Sequence, residues 1–504
     1  MTRQNFIGAL SPTRLSVISG ARQNLGWGAI TIATATNYDN ARVRHVNLTG
    51  KEVKSIVLAY ANYGPSSSKE RANGNAINIK ASVEFEGTAA DQTKPRVPVS
   101  FDGLLNPTID PWGVVYSKPV HGRLPAGAQF YERIRVGVPA NGNIYQCNTI
   151  LQGGTAGFGK DTGEGANTNT ISDRITDFGS AMTDAASRCY SASVVLGELA
   201  DGTVATSVAL LGDSIMAGND DAGYGNILGG WGLRLFDAYP HIYLPFAGEK
   251  LQDVAVLSNN YSRFELSSFT THVLAAYGRN DLGAGRTAAQ MKADLLAYAK
   301  PYMARGQTFI FSTILPCPSS TDGWFTVTNQ TKEPTEAVRV AFNQWLRDPS
   351  ASGFVAQANA QVADVPSAGV ARYADPCAPI ECDINGVLTQ DGGYFLGAQS
   401  GILTSGTATS GANQALNDTS KAWTVNQFVG KSVYIASGTG AGQSRCIGFN
   451  TATQLGIAQN WVTNPDATSV YQVFEALGQM GSAHPHTKGH VMIAAGMNAA
   501  SLLA

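Results

Sequence analysis

A hydroxyl that is to be acylated needs a base to take its proton and hydrogen-bond donors to hold the oxyanion that follows. This chain carries residues of each type at widely separated points. The apolar run VATSVALL, residues 204–211, stops at Gly212-Asp213-Ser214. A strand ending there would hold a serine hydroxyl at its C-terminal edge, although a simple turn is the plainer reading of three turn formers. His484 opens the segment HPHTKGH, and imidazole suits proton shuttling near neutrality. Asn280, in Gly278-Arg279-Asn280-Asp281, can offer an amide N–H, and Gly248, in PFAGEK, a backbone N–H. Asp213 reads as a structural hydrogen-bonding partner, and Arg279 and Asp281 as loop contacts. His484, His486 and His490 also raise a metal question. An H-x-H pair with a third histidine four residues on can ligate zinc and activate water, although no acid stands beside them in sequence.

These residues need elements to position them. From Val204 onward strand-like and helix-like segments alternate. The runs VALL, HVLAAY and FIFSTIL are almost wholly apolar, as strands covered by helices on both faces are. A helix is expected from Thr287, with Met291, Leu295, Tyr298 and Tyr302 near one face and Thr287 and Gln290 at capping-box spacing. The fold class is therefore α/β: a three-layer α/β/α domain with a parallel sheet. Ligands bind such sheets beyond the C-terminal strand ends, where LLGDS, LPFAG and AAYGRND lie.

The flanks differ. Residues 25 to about 150 hold short Val-, Ile- and aromatic-rich runs broken by Gly, Pro and Asn, the texture of a β-sandwich or jelly roll. Residues 150–195 read as a long loop or linker. Between Gly397 and Phe474 the alternation breaks and β texture returns before the terminal helix. The expected organisation is a β-rich accessory domain with linker over 1–200, an α/β domain over 201–396 and 475–504, and a small β module inserted at 397–474.

Composition narrows the classes. The 504 residues are 43% hydrophobic and 14% charged, with a formal net charge of -2. That balance favours neither a nucleic-acid surface nor a polybasic membrane anchor. The first residues lack a secretory signal's apolar core, and no run reaches the roughly 18 apolar residues of a spanning helix. The six cysteines are too few and scattered for a disulfide scaffold, though Cys377 and Cys382 are close enough to pair across a loop. Trp112, Trp231, Trp324 and Trp423 read as core residues before sugar-stacking ones.

Taken together, Gly212-Asp213-Ser214-Ile215, Gly248, Gly278-Arg279-Asn280-Asp281 and His484-Pro485 with Gly489-His490 resemble the four sequence blocks of the SGNH, or GDSL-type, hydrolases. The resemblance spans about Val204 to Ala504 apart from the insertion. It implies Ser214 as nucleophile, His484 as general base, Gly248 and Asn280 as oxyanion donors, and no cofactor. One position departs: the family's acid three residues before the histidine is Gly481 here. Either another group orients the imidazole, Asp391 in QDGG or a backbone carbonyl, or catalysis uses a Ser–His dyad.

The expected activity is that of a serine esterase acting through an acyl-enzyme, with an O-acetyl group on a polysaccharide as preferred substrate. The family includes many carbohydrate deacetylases, and β modules often present sugar-binding surfaces. The inserted segment is similar to small β modules of phage tail and virion proteins, which suggests a virion-associated or phage-released protein, with homo-oligomers left open. Two other readings stay open. One is a non-catalytic virion or carbohydrate-binding protein with a degenerate hydrolase domain, for which Gly481 speaks. The other is a zinc-dependent deacetylase using His484, His486 and His490.

Overall fold

The apolar strands expected after Val204 lie side by side. The computed structural model describes residues 15–22, 30–31, 37–66, 69–85, 94–144, 147–148, 158–168, 173, 175, 188–221, 230–457, 459–478 and 484–504. The parallel sheet has six strands, in the order Gly20–Arg22, His241–Tyr243, Val208–Gly212, His272–Ala276, Thr308–Ser312 and Ala371–Ala374. Side chains alternate between the two faces of a strand. Ala209 and Leu211 join one core with Met291, Leu295, Tyr298 and Tyr302. Val208 and Leu210 join the other, with Trp231, Phe236 and Ile493. Helices thus cover both faces, and the three layers are α/β/α. The helix Ala288–Ala304 starts with the reciprocal capping box that Thr287 and Gln290 allow.

The edge strand Gly20–Arg22 crosses the domain boundary expected at residue 200. Three residues that, among the described residues, pair only with His241–Tyr243 are too short to leave a periodic signal. Most of the other described N-terminal residues form two antiparallel sheets packed face to face. The first sheet holds Ser16–Val17, Val194–Leu199, Val53–Ala61, Val114–Tyr116 and Val120–Leu124. The second holds Val97–Pro98, Thr108–Ile109, Ile77–Glu84, Gln129–Val138, Asn37–Val46 and Phe158–Thr168. Ile56, Leu58 and Tyr60 meet Ile79, Val83 and Ile134 between them. Val57, Ala59 and Ala61 point the other way, into the core that holds Ala209 and Leu211. That double burial explains the unbroken apolar run IVLAYA, residues 56–61.

The long connection expected over 150–195 contains the strand Phe158–Thr168, antiparallel to Asn37–Val46 with two register shifts. It lies at a sheet edge, where a Gly-rich polar run is tolerated, so its composition hides it. Residues 404–474 build a seven-stranded antiparallel sheet with its own core, which includes Leu416, Trp423, Ile447 and Tyr471. Its strands Thr404–Thr407 and Ser410–Ala412 are consecutive in sequence yet lie at opposite ends of the strand order, so the sheet curls back on itself. The ends of this segment meet, with Gln399 N–H donating to Glu475 O at 2.8 Å. Cys377 and Cys382 are not joined; both are buried free thiols. Trp231, Trp324 and Trp423 are buried. No helix among the described residues is long and apolar enough to cross a membrane.

Candidate active site

Four chain segments meet beyond the C-terminal end of the strand Val208–Gly212. Each is held by local hydrogen bonds that its residue types supply. After Gly212 the chain enters a run of turns. Asp213 N–H donates to Ala276 O, which ties the turn to the neighbouring strand, and Ala217 N–H closes back on Asp213 O at 2.9 Å. The buried Asp213 carboxylate accepts from Ile215 N–H at 2.9 Å, so this acid shapes the loop that presents Ser214. Asp220 and Asp221 follow in the same irregular stretch. Asp221 is clamped by both arms of Arg234, at 2.9 and 2.8 Å.

The second segment is the turn Phe246–Glu249, closed by Glu249 N–H to Phe246 O. Gly248, its third residue, has φ +81°, a conformation that excludes ordinary side chains at this turn position. The third begins at Gly278, with φ +116°, where an added Cβ would lie 2.4 Å from the Ile314 side chain. Glycine there lets Asn280 and Asp281 turn back onto the second segment. Asn280 Nδ2 donates to Glu249 O at 2.9 Å, and Asp281 accepts from Leu251 and Gln252 N–H at 2.8 and 3.0 Å. The fourth carries His484 and is anchored by His486 N–H to Leu477 O at 2.7 Å.

The side chains converge on one relay. His484 Nε2 lies 2.7 Å from Ser214 Oγ, and His484 Nδ1 lies 2.8 Å from Asp220 Oδ2. The Asp220 side chain is 2% exposed and that of His484 18%, so the acid is sealed while the imidazole keeps an open side. Nδ1–H donating to the carboxylate leaves Nε2 to accept the serine proton. Asp220 has φ +68°, a left-handed backbone that Asp adopts more readily than most residues. Gln459, from the inserted β module, donates its side-chain amide to Asp220 Oδ1. The module therefore touches the acid that holds the imidazole.

The acid is not where the sequence pointed. Asp391 is salt-bridged to Arg347 at 2.7 Å, and that guanidinium also holds Asp375. Gly481 lies outside the described residues. The zinc reading fails on geometry, because His484 spends both ring nitrogens on Ser214 and Asp220. His490 Nδ1 accepts from Trp231 N–H at 3.2 Å. Burial pushes His486 and His490 down to about 4, so both are neutral near pH 7. No three or more His, Cys, Asp or Glu side chains among the described residues are grouped to hold a metal ion.

Burial pushes the Asp213 carboxyl up to about 7. In the unfolded chain it titrates near ~3.9. Between those values the folded state holds a proton that the unfolded state has lost, so stability falls as pH rises through this window. Asp213→Asn cannot ionise. Melting temperatures of both proteins across this range are expected to show the wild type losing stability relative to the variant as pH approaches about 7. Parallel curves would remove the linkage.

No family model matches the chain, and no curated protein does. Among solved structures it is similar to a GDSL-like lipase from Bacteroides thetaiotaomicron, at 12% identity over 38% of this chain and 80% of that one, with a TM-score of 0.24. It is similar to a member of the lipolytic G-D-S-L family from Veillonella parvula, at 17% identity over 34% and 78%, with a TM-score of 0.22. A salicylyl-acyltransferase from a tetracycline biosynthetic pathway is similar at 12% identity over 71% and 76%, with a TM-score of 0.24. Likenesses this distant leave the function to the geometry of the site itself.

Proposed function

We propose that the protein is a serine esterase and that Ser214, His484 and Asp220 are its catalytic relay. The observation that carries this reading is the pair of contacts at 2.7 and 2.8 Å joining hydroxyl, imidazole and carboxylate. His484 Nε2 takes the Ser214 proton as Oγ attacks the ester carbonyl. The protonated imidazole, balanced by Asp220, then gives that proton to the departing alcohol. Water repeats the sequence on the acyl-serine and releases the acid. Asn280 spends one amide N–H on Glu249 O and has a second for the oxyanion. The Ser214 and Gly248 backbone N–H groups complete the donor set.

The substrate we favour is an O-acetyl group on a polysaccharide. The β module that reaches Asp220 through Gln459 supports this, because such modules often present sugar-binding surfaces and this one touches the site. A degenerate, non-catalytic domain drew its motive from the missing acid at Gly481, and a carboxylate on His484 Nδ1 removes that motive.

The test has two arms. A phosphonate ester with a good leaving group should add covalently to Ser214, with the leaving group expelled, and peptide mass mapping should find the adduct there. Acetylated polysaccharides should release acetate in the presence of the protein. An adduct mapped elsewhere rejects the mechanism, and acetate release from none of a broad panel rejects the substrate class. The role of Gln459 is open to the same assay. A hydrogen bond to a charged group contributes about 1.5–3 kcal/mol, so Gln459→Leu is expected to lower kcat on p-nitrophenyl acetate by about 10- to 100-fold. Wild-type kcat in that variant would show that the module does not hold the acid.

A further inference from the structure

A second buried charge chain reaches the site from the N-terminal region. We infer that Glu70 is a positioning residue for the oxyanion side of the site, acting through Arg263 and Glu249; this rests on the esterase reading. The hairpin Tyr63–Ser66 and Lys69–Ala72 carries Glu70 out of the sandwich to the helix Tyr261–Ser267. There the Glu70 carboxylate accepts from Ser262 N–H at 2.8 Å, Arg263 N–H at 2.9 Å and Arg263 Nε at 3.0 Å. Arg263 turns its other face to Glu249, with Nη1 to Oε2 at 2.7 Å and Nη2 to Oε1 at 2.5 Å. Tyr277 OH adds a third donor to Glu249 at 3.0 Å. The guanidinium also lies 3.8 Å above the Phe246 ring.

Phe246 and Glu249 are the two ends of the turn that holds Gly248, and Glu249 O is the acceptor for Asn280 Nδ2. Arg263 therefore grips both ends of the turn that carries one oxyanion donor and orients the other. Arg263 is itself aimed by Glu70, a residue from a different sheet system. Glu70, Arg263 and Glu249 are all at most 3% exposed, so water cannot replace a lost partner. Burial raises the Glu249 carboxyl above its ordinary range, and the Arg263 charge opposes that shift. With Glu70 neutralised, the guanidinium is free to re-centre on Glu249 and carry the turn with it. Donors that act in the transition state then miss the oxyanion, while ground-state binding is little changed.

The test uses the full chain with p-nitrophenyl acetate. Glu70→Gln is expected to lower kcat by about 10- to 100-fold with KM nearly unchanged. Combined with Asn280→Ala it should cost less than the product of the two single effects, because the part of the Glu70 effect that passes through the Asn280 donor is already lost. Arg263→Lys, which keeps the charge and loses the fork, should reproduce the loss and serves if Glu70→Gln does not fold. A lowered melting temperature with wild-type kcat, or effects that multiply with Asn280→Ala, overturns the inference. Phosphonate labelling of wild-type Ser214 separates the two readings. Labelled wild type with unimpaired Glu70→Gln defeats this inference alone, whereas an unlabelled, inert wild type defeats the esterase reading and this one with it.

Discussion

Ser214→Ala is expected to lower kcat on p-nitrophenyl acetate by about five to six orders of magnitude while leaving the fold intact. In the proposed mechanism the Ser214 oxygen forms the acyl bond, so no neighbour can replace it. Removing the nucleophile of such a relay costs about 10⁶ in kcat where it has been measured in isolation. The remaining donors, Asn280 and the backbone N–H groups, still stabilise a tetrahedral oxyanion. A residual rate above the uncatalysed one, of about 10³-fold, is therefore expected from attack by water. Stability should change little, because Ser214 is only half-buried and its side chain meets His484 rather than the core. Steady-state kinetics and a melting curve on the same preparation test both halves. A variant that retains turnover within tenfold of wild type would remove Ser214 from the mechanism.

Asp220→Asn has the second largest expected effect, a fall in kcat of about 10⁴. Asparagine keeps the shape of the side chain and the Gln459 contact can re-form through its carbonyl. Facing His484, however, an amide can present an N–H where a carboxylate only accepts. That stabilises the tautomer with Nε2 protonated, which cannot take the Ser214 proton, and it removes the charge that balances the imidazolium. Asp391→Asn is the matched control. That carboxylate lies on Arg347, which keeps its hold on Asp375, so kcat should stay within about twofold of wild type while stability drops by the ~1 kcal/mol typical of a partly exposed pair. A reversal of the two results would return the orienting role to Asp391.

The contrast between these two aspartates shows what the sequence could and could not reveal. Ser214, Gly248, Asn280 and His484 sit at strand and helix ends that apolar runs and glycines mark, and the structure gathers their segments at one edge of the sheet. Asp220 carries no such mark. It lies six residues after Ser214 within GNDDAG, at the end of irregular turns that have no period to read. The available hint was chemical: two acids in a Gly-rich turn beside a nucleophile, of a residue type that tolerates positive φ. Arg234 takes Asp221, which leaves Asp220 facing His484, and only the packed helix Gly230–Phe236 decides that division. Glu70 was equally illegible, because its partners lie 192 and 193 residues away. The parallel strands and the helix after Thr287 were legible because burial on both faces, or on one, writes itself into composition. The edge strands Gly20–Arg22 and Phe158–Thr168 were not, because an edge asks little of its side chains.

The short edge strand Gly20–Arg22 has a practical consequence for anyone dividing the molecule. A fragment starting at residue 201, where composition alone would place the cut, leaves the His241–Tyr243 strand without its outer neighbour. Its bare N–H and C=O groups become a template for any extended peptide. The same cut strips the cover that Val57, Ala59 and Ala61 give to the shared core. Such a fragment is expected to recruit strands from its own copies and precipitate, so separable modules in the amino-acid record are not separable bodies in solution.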